Sequence, residues 1–169
     1  MSERDQLLKA FEAHRKIPGA PYEEANFLDY LLARPKKKRA VYDSFRGLRR
    51  FNAFIDQVQL DHAVCFSIKD REANYPLDKF VARVIELRNS PKSSLASFGN
   101  QAKAGFGWQA VAMGNLVIGI PTLSLAHHTG LLLIGLALIA SFNSFFIVLS
   151  LKRQRYMAKL HKRLLQAPR

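Results

Sequence analysis

The sequence predicts a mainly α-helical chain in three parts: a small helical cytoplasmic domain at the amino terminus, a two-helix transmembrane hairpin, and a basic amphipathic helix at the carboxy terminus. Three observations point there. No Lys, Arg, Asp or Glu occurs among the 48 residues between Lys103 and Lys152, although 23% of the chain is charged. Every acidic residue lies at or before Glu86, so residues 1–86 hold 16 basic and 13 acidic side chains while residues 87–169 hold 10 basic and none acidic. Apolar residues in the first part recur at spacings of three and four, the helical period. Together these exclude a purely soluble protein, a disordered tail and a disulfide scaffold, the last because Cys65 is the sole cysteine.

Residues 1–90 read as the cytoplasmic domain. Ser2 with Asp5 forms a capping-box pattern opening a helix that ends before Pro18 and Gly19, with Leu7, Leu8, Phe11 and His14 on one face. Pro21, Glu23 and Glu24 open a second helix whose apolar face is Phe27, Leu28, Leu31 and Leu32, and Pro35 closes it. A third helix, from about Lys37 to Val58, carries Val41, Phe45, Leu48, Phe51, Ile55 and Val58 as its buried stripe. The segment His62–Ile68 fits a short strand or a continued helix. Pro76 opens a fourth helix that buries Leu77, Phe80, Val81, Val84 and Ile85. These faces suffice for a small core, and a domain of this size is only marginally stable alone.

Residues 91–107, rich in Ser and Gly, read as a juxtamembrane linker, with Leu95, Phe98 and Phe106 able to touch headgroups. The hairpin occupies 108–151, with spans at 108–126 and 130–151. At 1.5 Å per residue they are roughly 28 and 33 Å long, against a hydrocarbon core of about 30 Å. His127, His128 and Thr129 leave room only for an antiparallel turn. Lys103 precedes the first span, and Lys152, Arg153 and Arg155 follow the second, so the positive-inside rule puts both termini in the cytoplasm. Trp108 and Tyr156 suit that same interface. The first residues, with three acids and no apolar run, are expected to be neither a secretory signal nor a transit peptide.

Inside the hairpin, Asn115 and Asn143 fall at similar depth and can hydrogen-bond across it or to a neighbouring subunit. Ala137 with Ser141 and Ala140 with Ser144 form small-xxx-small pairs that allow close helix approach. No ionisable group lies at membrane depth, which favours packing over a proton or ion relay. Two basic clusters are candidate contacts for anionic lipid headgroups or a partner: Lys36, Lys37, Lys38, Arg39, Arg46, Arg49 and Arg50, and the tail 152–169 with Lys152, Arg153, Arg155, Lys159, Lys162 and Arg163. A helical tail would align Tyr156, Met157, Leu160 and Leu164 opposite these cations, to lie in the interface or to extend the second span and pack on the soluble part. Nucleic acid is not the expected partner, because the chain is tied to a membrane.

The chemistry-bearing residues are scattered. Cys-x-x-Cys, His-Glu-x-x-His, a phosphate-binding glycine loop and a nucleophile elbow are all missing. His62 and Cys65, three apart, are the nearest approach to a nucleophile with its base, and a buried pair explains them better. No catalytic, cofactor or metal site is expected, and no motif ties the chain to a particular family. The expectation is a non-enzymatic, membrane-anchored interaction protein or accessory subunit of a larger complex, in a bacterial inner membrane. The partner is another protein or further copies of the chain. The alternative is an oligomerising, membrane-perturbing effector of toxin or defence type, or an immunity protein against one.

Overall fold

Helix α1 (Glu3–His14) starts where its caps dictate. The Ser2 Oγ accepts from the Asp5 N–H at 3.1 Å, and the Asp5 carboxylate accepts from the Ser2 N–H at 2.9 Å. The computed structural model describes residues 2–32, 40–73, 75–103, 107–124 and 128–166. Beyond α1 the chain doubles back through Gly19, whose φ of +74° is a left-handed conformation that glycine adopts without strain. Arg15 holds this turn. Its buried guanidinium lies 5.2 Å from the ring centres of both Phe11 and Tyr22, pairs with Glu12 and donates to the Ala20 carbonyl.

The second helix expected from Pro21 is broken up. A 3₁₀ turn at Glu24–Asn26 precedes a single turn, α2 (Asp29–Leu32), and the expected stop at Pro35 lies outside the described residues. The reason lies in the core. Phe27 is fully buried, its ring 5.4 Å from Phe11, 6.3 Å from Phe54 and 5.5 Å from Phe80, so the backbone bends to deliver it. Each such ring pair adds about 0.5–1.5 kcal/mol beyond the area it buries.

Helix α3 (Ala40–His62) packs close on α2, because a Cβ at Gly47 would collide with the Leu32 carbonyl oxygen. That contact fixes which way α3 faces. Phe51, Phe54, Ile55 and Val58 are buried, but Phe45 and Leu48, expected in the same stripe, are 69% and 50% exposed. At about 100° per residue the core side centres on Gly47 and Phe54, and Phe45 falls half a turn away. A stripe with mean spacing near 3.5 drifts around a 3.6-residue helix, so its two ends point differently. Ala63, at φ +52°, ends α3. Among the described residues no strand occurs. Val64–Phe66 is an extended link, and the Phe66 N–H donates to the buried Gln59 side chain at 2.9 Å.

Ser67 caps α4 (Ile68–Glu72) with a second reciprocal box to Asp70. Helix α5 (Leu77–Asn89) follows Pro76 and buries Leu77, Phe80, Val84 and Leu87, while Val81 and Ile85 are half-buried. Composition misleads over 91–107. Residues Pro91–Lys103 form helix α6, with Pro91 in the first turn where its missing N–H costs nothing. The Ser94 hydroxyl donates to the Leu87 carbonyl at 3.1 Å, and the Gln101 amide to the Phe66 carbonyl at 2.6 Å. Over Pro91–Lys103 the linker reading is therefore corrected to a packed helix, and residues 104–106 lie outside the described residues.

Helix α7 (Trp108–Ser124) and helix α8 (Thr129–Gln166) complete the chain. The fold is all-helical among the described residues and divides into two compact units, Met1–Gln101 with Lys159–Arg169 and Ala102–Ala158. The tail is thus no separate helix. It is the end of the 38-residue α8, with Leu160 and Leu164 buried and the His161 ring stacked 5.0 Å from Phe98. Among the described residues one helix, α8, is long and apolar enough to cross a membrane. Helix α7, at 17 residues, is apolar but shorter, and His127 lies outside the described residues.

Candidate functional site

Helices α7 and α8 lie side by side and antiparallel, and their seam is built from small and polar groups. The Asn115 Nδ2 donates to the Asn143 Oδ1 at 2.9 Å. A Cβ at Gly114 would strike the Phe142 ring, and one at Gly135 would strike the Thr122 side chain. Val111 and Ser150 are buried at one end of the seam, Thr122 at the other. The hydroxyls of Thr122 and Ser124 donate to the carbonyls of Ile118 and Ile120 at 2.7 and 3.0 Å, so neither needs a partner from the surroundings. The Asn115 Oδ1 is buried without a hydrogen-bond partner among the described residues.

Ala137, Ala140, Ser141 and Ser144 do not make this contact. All four are exposed. Gly114 and Gly135 do the work expected of them. The signal was available in the antiparallel register, because facing Asn115 against Asn143 also faces Thr122 against Gly135 within one residue.

The basic residues divide into three groups. Lys36, Lys37, Lys38 and Arg39 lie outside the described residues. Arg46 and Arg49 are exposed on α3, but Arg50 is half-buried and its Nε donates to the Leu31 carbonyl at 3.0 Å. Arg50 therefore fastens α3 to α2, which takes part of its guanidinium away from any headgroup. Lys152, Arg153 and Arg155 are exposed on α8 just past its apolar stretch, and Lys159, Lys162 and Arg163 are exposed two turns on. Leu160 and Leu164, expected to face lipid or the soluble part, are buried within the amino-terminal unit.

The isolated catalytic candidates have structural employment. Cys65 is fully buried, which pushes its thiol up to about 11, with Asp70 adding to the shift and Arg71 opposing it. A thiol so protonated is a poor nucleophile. The His62 Nδ1 lies 2.8 Å from the Glu3 carboxylate, which also pairs with Arg88. Asp70 is the most heavily engaged carboxylate. Burial raises its pKa, but hydrogen bonds from Arg83 and Ser67, and the Arg83 charge, outweigh burial and leave it below the usual carboxylate value. Arg83 meets Asp70 at 2.8 Å and Glu86 at 2.8 Å, and its own pKa is raised by those bonds.

Among the described residues no group of three or more His, Cys, Asp or Glu is arranged to hold a metal ion. An open cleft of about 500 Å³ lies beside Arg15, Lys16, Ile17 and Tyr30, but the Arg15 guanidinium is already committed to Glu12 and Ala20. No protein-family model, curated protein or solved structure matches the chain.

Proposed function

We propose that this chain is a non-enzymatic, membrane-anchored accessory or interaction subunit. Helix α8 is the principal span and α7 crosses beside it, with the flanking segments on the cytoplasmic side of a bacterial inner membrane. The amino-terminal unit recruits a partner protein there. The observation that carries this reading is the continuity of α8. Its apolar residues 130–151 run without a break into Lys152, Arg153, Arg155, Lys159, Lys162 and Arg163. Such a helix meets the length requirement of a bilayer and the charge asymmetry of its cytoplasmic face at once. Helix α7 is short and polar for a lone span, but the Asn115–Asn143 bond and the internally satisfied hydroxyls lower the cost of carrying it into lipid. The test is carbonate extraction, followed by purification in mild detergent with cross-linking at Lys159 and Lys162. The expected result is a carbonate-resistant chain cross-linked to one stoichiometric protein.

A second reading is favoured by the exposed small residues of α8. Ala137, Ala140, Ser141 and Ser144 leave a face on which further copies could pack, as an oligomerising membrane-perturbing effector requires. Expression would then depolarise cells, and unchanged membrane potential at high expression would remove this reading.

A further inference from the structure

The first described turns of α3 hold an arrangement that the core does not explain. Phe45 and Leu48 project from the amino-terminal unit, with Arg46 and Arg49 exposed beside them. Residues 45–50 carry three arginines, and Asp43 is the one acid within a turn of them in sequence. This exposure is built in. Gly47 admits the Leu32 carbonyl so closely that α3 cannot rotate, and the Arg50 bond to Leu31 holds the same contact one turn on. Phe45 therefore cannot turn inward, because Phe54 and Phe51 occupy the core side.

We infer that this stretch of α3 is an interfacial contact element: Phe45 and Leu48 seat in the headgroup layer of an anionic bilayer while Arg46 and Arg49 take lipid phosphates. The inference rests on the reading of α8 as a membrane anchor. Two features select lipid over a protein groove. Two apolar side chains fall far short of the roughly 1,000 Å² that a specific protein interface buries, yet an aromatic ring flanked by guanidinium groups suits the bilayer boundary. A bilayer also lies within covalent reach, so even weak partition is populated at the high effective concentration that tethering provides.

The test uses the full chain in vesicles, with Phe45→Trp in a Trp108→Phe background so that position 45 holds the single tryptophan. Quenching by a doxyl-labelled lipid is measured in phosphatidylcholine vesicles with and without phosphatidylglycerol. A carbonate wash of separate samples reports the anchor independently. The expected result is blue-shifted, doxyl-quenched emission with phosphatidylglycerol, and a seated fraction reduced on the order of tenfold by Arg46→Glu with Arg49→Glu. Leu48→Trp in the same background should behave alike, which guards against a folding defect peculiar to position 45. Unquenched emission from a carbonate-resistant chain overturns the inference and leaves the anchor standing. Equal quenching in both lipids overturns the charge-selective contact, and shielding that appears only with a co-purified protein overturns lipid as the occupant. Quenching from a chain that carbonate strips away would support the contact and refute the anchor.

Discussion

Where the amino-terminal unit fills its centre with the rings of Phe11, Phe27, Phe54, Phe66 and Phe80, the α7–α8 pair closes its seam with Gly114, Gly135, Thr122 and two asparagines. The first is the kind of packing in which large apolar side chains gain most by leaving water. The second suits a setting in which burying apolar surface between helices gains little, so that close approach and a side-chain hydrogen bond carry the association. Both units use glycine for a close contact. In the first, Gly47 admits a backbone carbonyl, and in the second the glycines admit a ring and a threonine. The contrast indicates what each region resists: loss of volume in the first, gain of volume in the second.

The largest effect should separate the two units. Phe27→Ala removes a ring that touches three others and should destabilise the amino-terminal unit by about 3–5 kcal/mol. Denaturation of the full chain in detergent should show that loss while the chain stays carbonate-resistant. Loss of carbonate resistance would break the comparison by showing that retention depends on the amino-terminal core.

Next in size is the Asp70 network. Because the folded pKa of Asp70 lies below its unfolded value, its ionised form stabilises the unit in full above about pH 4. That contribution is lost as pH falls through the folded value. Asp70→Asn should cost about 1.5–3 kcal/mol at neutral pH, and the difference from wild type should fade in acid. A gap that stays constant down to about pH 2 would show that shape rather than charge sets the cost.

The smallest effect sharpens the comparison inside the hairpin. Asn143→Leu leaves the whole Asn115 amide unpaired, since its Oδ1 already lacks a partner, whereas Asn115→Leu strands a single oxygen of Asn143. Both should weaken the pair by about 1 kcal/mol, with Asn143→Leu the worse. Fluorescence energy transfer between labels on α7 and α8 during detergent titration reads the order, and a reversed order would contradict the donor assignment.

Much of this was readable from the residues. Ser2 with Asp5 marked the start of α1, Pro76 the start of α5, and the charge-free stretch the two apolar helices, because caps and composition act locally. The facing of α3 was not readable, since it depends on a glycine meeting a carbonyl from another segment. Helix α6 was hidden by small residues that look like linker until Ser94 and Gln101 find carbonyls on neighbouring elements. The pairing of Asn115 with Asn143 was legible, but the spacing of small residues by itself did not tell which side of α8 faces α7. Small residues occur on both sides of α8, and only the register with α7 distinguishes Gly135 from Ala137.

The most direct test of the central claim, a two-span anchor with both flanks in the cytoplasm, is cysteine accessibility in spheroplasts. In a Cys65→Ala background, single cysteines are placed by Thr129→Cys in the turn, Lys9→Cys on α1 and Gln166→Cys at the end of α8, all at exposed positions. A membrane-impermeant maleimide should label position 129 in intact spheroplasts, and positions 9 and 166 only after lysis. Labelling of 129 only after lysis, or of 9 and 166 from opposite sides, would contradict it.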